Sequence, residues 1–118
     1  MKTNIVTGKL GEKLAMEYLD SKGYTILEKN YRNKIGEVDI IAYDKSILTF
    51  IEVKTRNNYK YGYAYESVNA RKQKKIINAS LMYLQKFNLH DTQVRFDVIE
   101  VYPLEKEPIN HFENAFSL

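Results

Sequence analysis

The chain has no cysteine, which excludes disulfides and thiolate zinc sites. It has only two histidines, His90 and His111, and they lie in unrelated segments. That argues against a histidine-based hydrolase or a multi-histidine metal cluster. No apolar stretch approaches the length of a membrane span, and the N-terminus lacks the apolar core of a signal peptide. A cytoplasmic protein with no membrane association is expected. Linkers, repeats and low-complexity segments are also missing, so the 118 residues read as a single domain, 1–118. At 44% hydrophobic and 28% charged, the composition is that of an ordinary globular protein. Net charge is small, +3, but unevenly spread. From Lys54 to Lys75 there are seven basic residues (Lys54, Arg56, Lys60, Arg71, Lys72, Lys74, Lys75) against one acid, Glu66. This stretch is the candidate nucleic-acid surface.

What is present is organised around one apolar run that carries charge. From Ile47 to Val53 only Thr49 and Glu52 interrupt it, the pattern of a strand covered on both faces. Alternation puts Phe50, Glu52 and Lys54 on one face and Ile51 and Val53 on the other. A buried charge without a partner costs about 3–5 kcal/mol, so Glu52 and Lys54 need each other, a further carboxylate or a cation. Just upstream, Gly36-Glu37-Val38-Asp39-Ile40-Ile41-Ala42 predicts a second strand with its own acids. A turn at Asp44-Lys45-Ser46 folds it back as a hairpin, which brings Asp39 near Glu52 and Lys54.

In chain order, about Asn4 to Lys22 predicts an amphipathic helix ended by Gly23. Leu14, Ala15, Tyr18 and Leu19 form its stripe, with Glu12 at the margin. Glu12 there is either a salt-bridged edge residue or an outer member of the acidic site. Tyr24–Tyr31 predicts a first strand, and Gly36 marks a bulge or a close backbone approach. The stretch Asn57–Tyr65 carries four tyrosines and reads either as a strand or as a loop that stacks on bases or sugars. Asn69 is an N-cap for a helix to about Phe87. Its expected buried stripe is Ile77, Leu81 and Leu84, with Gln73 on the same line and Lys74 and Lys75 diverging to solvent. Gln93–Val101 predicts a fourth strand, joined to the third by a right-handed crossover. Beyond Pro103, Ile109, Phe112 and Phe116 pack back onto the body. Helix, three-stranded meander, crossover helix and strand give an α/β architecture, a small mixed sheet flanked by helices.

Phosphodiester hydrolysis needs a deprotonated water, charge relief at phosphoryl oxygens and a stabilised leaving oxygen, all of which divalent ions can supply. Mg²⁺ favours one or two carboxylates plus waters and phosphate oxygens. Asp39 and Glu52 match that demand. Lys54 is suited to orient or deprotonate the water, and Glu37 shares the Asp39 face and offers a further ligand. A partly buried Asp39–Lys54 ion pair with no chemistry fits the same residues.

Gly36-Glu37-Val38-Asp39 followed by Ile51-Glu52-Val53-Lys54 resembles the motif of the PD-(D/E)XK, or restriction-endonuclease-like, nuclease superfamily, with Val38 in place of the proline. More closely, the chain resembles the YraN family of small bacterial proteins, similar to archaeal Holliday junction resolvases. The match takes in Gly11-Glu12, Gly36–Ile41, Phe50–Arg56, Ser67-Val68, Lys72-Gln73, Arg95–Val98 and Asn114–Phe116. The resemblance implies an αβββαβ restriction-endonuclease-like core, a Mg²⁺ or Mn²⁺ site, branched or flapped DNA as substrate, and a homodimer. It makes Asp39 and Glu52 metal ligands, Lys54 catalytic, Glu12 a member of the acidic cluster, and Gln73 the glutamine that opens the second helix. A non-catalytic nucleic-acid-binding or adaptor module that keeps the fold is the alternative.

Overall fold

The computed structural model describes residues 7–56 and 68–117. The tyrosine-rich stretch 57–65, with Lys60, lies outside them, as does Ser67. Helix α1 (Gly8–Ser21) starts where the Thr7 side chain accepts the Leu10 N–H at 3.1 Å. It stops at Gly23, whose φ of 88° suits glycine. There the Gly23 and Tyr24 N–H groups donate to the Asp20 and Leu19 carbonyls, the paired bonds of a Schellman end. Strands β1 (Thr25–Arg32), β2 (Glu37–Asp44) and β3 (Ile47–Thr55) form the expected antiparallel meander. Helix α2 (Ala70–Lys86) crosses over to β4 (Val94–Val101), parallel to β3. A fifth strand, β5 (Ile109–Phe116), pairs antiparallel with β4, so spatial order follows chain order.

The sheet is covered on both faces, which is why β3 reads as a near-continuous apolar run. On one face Val38, Ile41, Leu48, Phe50, Phe96 and Val98 pack under α2, whose contribution is Ile76, Ala79 and Tyr83. On the other, Ile40, Ala42, Ile51, Ile99 and Val101 pack under Ala15 and Leu19 of α1. Alternation therefore puts Glu52 and Lys54, with Phe50, on the α2 face. Gly11 permits the close seating of α1. A Cβ built there would lie 1.8 Å from Thr55 Oγ1 and 2.9 Å from Thr55 Cβ, so only glycine lets the helix rest on the end of β3. Gly36 is the expected close approach, with the Lys75 carbonyl of α2 3.4 Å from the position of its absent Cβ.

Two expectations are corrected. The buried stripe of α2 is Ile76, Ala79, Ser80 and Tyr83, while Leu81 is 43% exposed and Ile77 and Leu84 pack at the core's edge. The helix is apolar over more than one face, so its own periodicity does not choose between stripes; the aromatic surface of Phe50 and Tyr31 against Tyr83 does. Second, the C-terminal tail packs back as expected but does so as a strand. Its spacing (Ile109, Phe112, Phe116) hides the strand period because β5 is bulged. Phe96 pairs with Phe116 and Val98 with Phe112, so four residues of β5 span two of β4. At the bulge Asn114 takes φ 54°, a conformation Asn tolerates, and its N–H donates to Asp97 Oδ1 at 2.9 Å.

Candidate active site

The β2–β3 ladder runs from the Asp44–Ile47 pair back to Ile40–Ile51 and stops there. One residue further on, the strands part, and Asp39 fills the fork. Its Oδ2 accepts the Val53 N–H at 2.8 Å, doing what a main-chain carbonyl does elsewhere in the ladder. The strand is irregular here as well. Val38 and Ile41 are three apart yet join the same core, which strict alternation forbids. Asp39 keeps the alternation of Ile41 two residues on and so shares the α2-side cleft with Glu52; the break lies on its Val38 side. The cleft, about 300 Å³, is lined by Glu37, Asp39, Glu52, Lys72, Lys75 and Ile76.

Within it the charges are unequally matched. Glu52 is buried, 5% exposed, and its Oε2 takes two ammonium groups, Lys72 Nζ at 2.6 Å and Lys54 Nζ at 3.4 Å. Among the described residues Asp39 forms no such ion pair, though the Lys72 charge acts on it as well. Burial, then the nearby Glu52 carboxylate, and then Glu12 push the Asp39 carboxyl up to about 7; the Val53 N–H partly opposes this. Burial lowers the Lys54 ammonium, and neighbouring Lys72 adds to the effect against the pull of Glu52. Lys72 moves the other way, because contacts with Glu52 outweigh its own desolvation. The ion pair on this face is thus Lys54–Glu52, joined by Lys72, rather than Asp39–Lys54. Glu100, paired in register with Lys54, lies fully buried beside it and accepts from Asn110 Nδ2 at 2.5 Å.

The other predicted site residues distribute as follows. Glu12 is half-buried on α1 and near enough to act on Asp39. Glu37 lines the cleft but turns its Oε2 to Arg32 at 3.1 Å in a solvated pair, the kind worth little. Among the described residues no three His, Asp or Glu side chains group closely enough to hold one ion together; the close carboxylates are Asp39 and Glu52. Gln73 donates its side-chain Nε2–H to the Val68 carbonyl at 2.9 Å and so braces the entry to α2. Arg71, Lys72 and Lys75, with Asn69, line an adjoining cleft of about 310 Å³. Lys74 is exposed away from both clefts. Arg56 continues from β3, with its N–H on the Val101 carbonyl at 2.9 Å. Sequence reasoning assigned Lys72 to a nucleic-acid surface and missed its bond to Glu52. The signal was present, since Lys72 precedes Ile76 by four residues and lies on the true buried stripe.

Part of the matched sequence pattern proves structural. Asp97, with a fully buried side chain, receives Arg95 Nε–H at 2.9 Å, His111 Nε2–H at 2.7 Å and the Asn114 N–H. Arg95 also reaches Asp44 and the Tyr24 hydroxyl, and Tyr18 O–H donates to His111 Nδ1 at 2.9 Å. The Arg95–Val98 and Asn114–Phe116 segments thus fasten β5 to the sheet and to α1.

Fold and site together define a small mixed α/β domain of restriction-endonuclease-like architecture, with an acid pair and lysines at a strand fork. Residues 11–101 match the model of the Uncharacterised protein family UPF0102. A UPF0102 protein of Clostridioides difficile strain 630 is 59% identical over 109 residues, covering 92% of this chain and 95% of that one. A second, from Caldanaerobacter subterraneus, is 47% identical over 113 residues (92% and 93%). A third, from Persephonella marina, is 42% identical over 113 residues (96% and 95%). The chain belongs to the UPF0102, or YraN, family.

Proposed function

We propose that this chain is a metal-dependent endodeoxyribonuclease that hydrolyses phosphodiester bonds in branched or flapped DNA. The observation that carries the reading is the fork. Asp39 and Glu52 line one cleft, close enough for each carboxylate to act on the other, and Lys54 stands on the same face, 3.4 Å from Glu52. The donor set fits Mg²⁺ or Mn²⁺, which take one or two carboxylates and keep waters. Asp39 is moreover a half-buried acid that forms no ion pair among the described residues, with only the charge of Lys72 acting on it from a distance. Asp39 and Glu52 would hold the ion, with Glu12 acting through water from its place on α1 and Glu37 at the rim. When bound, it would supply an activated water and charge relief at the phosphoryl oxygens.

The chain's own residues account for the rest. Val53 N–H fixes the Asp39 carboxylate, so its orientation is set before substrate arrives. Lys54 orients the attacking water and offsets charge that develops on the phosphoryl group. Arg71 and Lys75, beside the cleft, take neighbouring phosphates. Gln73 holds α2 in place through Val68. A homodimer would present two such sites to a branched substrate.

The test is cleavage of forked, flapped and four-way DNA with Mg²⁺ or Mn²⁺. Metal-dependent products are expected, reduced about 100-fold or more by Asp39→Ala or Lys54→Ala. No products on any substrate, or undiminished cutting by both variants, overturns the reading. One observation favours the second reading, a nucleic-acid-binding or adaptor module without turnover: Glu52 Oε2 already has two lysine partners. That reading expects DNA binding indifferent to chelator and to Glu52→Ala, and no calorimetric heat from Mn²⁺ at the acid pair.

A further inference from the structure

A second cleft lies across the sheet from the first, on the α1 side, bounded by α1 and β1. Its volume is about 380 Å³, and Lys9, Glu12, Lys13, Met16, Lys29 and Asn30 line it. Lys9 and Lys13 are one helical turn apart on α1, and Lys29 comes from β1, paired with Ile40. All three lysines are exposed, and none forms an ion pair with another described residue. Three unpaired cations around one concavity raise the local concentration of anions. Met16 and Leu10 give the lining its apolar part.

The position of the cleft matters more than its charge. Its one acid is Glu12, the residue whose charge reaches Asp39 from α1. Asn30 lies between the Lys29–Ile40 and Tyr31–Val38 pairs of the ladder, directly beside Asp39 of β2. The α1-side cleft therefore ends at the acidic centre where the α2-side clefts begin. Along this edge the charge runs basic (Lys9, Lys13, Lys29), acidic (Glu12, Asp39, Glu52) and basic again (Lys72, Lys75, Arg71). A free phosphate or nucleotide needs only one basic flank. Two flanks around a cutting centre match a continuous phosphodiester backbone.

We infer that the α1–β1 cleft binds the backbone phosphates of the cleaved strand on the far side of the scissile bond from α2. This rests on the nuclease reading for the direction of the strand, but its test does not need turnover. Binding of fluorescein-labelled flapped DNA is followed by anisotropy in EDTA, across a salt series. The proteins compared are wild type, Lys9→Gln/Lys13→Gln/Lys29→Gln, the same three positions changed to Arg, and Arg71→Gln/Lys75→Gln. The glutamine triple should lose about tenfold or more in affinity and lower the log–log salt slope by about 2. The arginine triple should keep both, which separates lost charge from lost fold. Inorganic phosphate at equal ionic strength should not compete detectably better than chloride, since single anions lack the second flank. If the glutamine triple binds like wild type while Arg71→Gln/Lys75→Gln weakens binding, the inference falls and the nuclease reading stands. If the triple weakens binding but wild type cuts nothing, the cleft is still a binding site for backbone phosphates, with no scissile bond beside it, and the nuclease reading falls. Wild type that neither binds nor cuts overturns both.

Discussion

The Lys72 ammonium lies 2.6 Å from Glu52 Oε2, closer than Lys54, which meets the same oxygen at 3.4 Å. One carboxylate oxygen thus serves two cations, and the nearer belongs to a side chain 41% exposed at the mouth of the cleft. A divalent ion sharing Glu52 would have to displace Lys72 rather than Lys54, whose side chain is only 18% exposed. Lys72→Met should therefore tighten Mn²⁺ binding, by about tenfold (~1.4 kcal/mol), while weakening DNA binding. Titration calorimetry reads the first effect and anisotropy the second; unchanged or weaker Mn²⁺ affinity would show that the lysine does not compete.

Asp39→Asn removes a charge that burial and Glu52 both disfavour, and Asn Oδ1 can still accept the Val53 N–H. The metal-free variant should be more stable than wild type at pH 8, by about 1 kcal/mol, as expected when a strained functional group is neutralised. It should also lose the thermal stabilisation that Mn²⁺ gives wild type. Thermal melts with and without Mn²⁺ check both; a variant still stabilised by the ion argues that Asp39 is not a ligand.

Gly11→Ala places a methyl group where Thr55 Oγ1 stands, 1.8 Å away. The helix must shift from β3, at a cost of about 1–3 kcal/mol for an overpacked contact. Adding Thr55→Ala should recover only part, because the Thr55 Cβ, at 2.9 Å from the same point, remains. Urea denaturation of the single and double variants measures this, and full recovery would locate the cost elsewhere.

Burial alone would raise the Asp97 carboxyl, but hydrogen bonds from His111, Arg95 and the Asn114 N–H outweigh it and hold it below the ordinary value. A carboxyl depressed in the folded state stabilises fully above its unfolded pKa, about 3.9, and progressively less as pH falls through the folded value. Stability should therefore drop from about pH 4 downward. Asp97→Asn should flatten that limb and destabilise at neutral pH by about 3–5 kcal/mol, the cost of breaking a buried pair. Urea midpoints from pH 3 to 7 test this. An unchanged acid limb in the variant would assign the loss to other carboxylates.

The meander, both helices and β4 were legible because each carries a local signal: the Asn69 side chain at a helix start, Gly23 at a helix end, and apolar runs of strand length. Asp39 and Glu52 came together as anticipated because a two-residue turn fixes the hairpin register. β5 was illegible because a bulge held by Asp97, far away in sequence, absorbs two of its residues. The α2 stripe was misplaced by one position for want of knowledge of what lay beneath it. That slip put Gln73 on the inward line and hid the inward reach of Lys72, which was read only as part of the basic surface. A periodic pattern names the residues that can face inward, and only the opposing surface selects among them.

The bond from Val53 to Asp39 also makes the protein its own reporter. Where a sheet would ordinarily close backbone to backbone, a single amide proton is guarded by the very carboxylate on which the chemistry depends. Its rate of exchange with deuterated solvent is therefore a label-free gauge of how firmly that group is held.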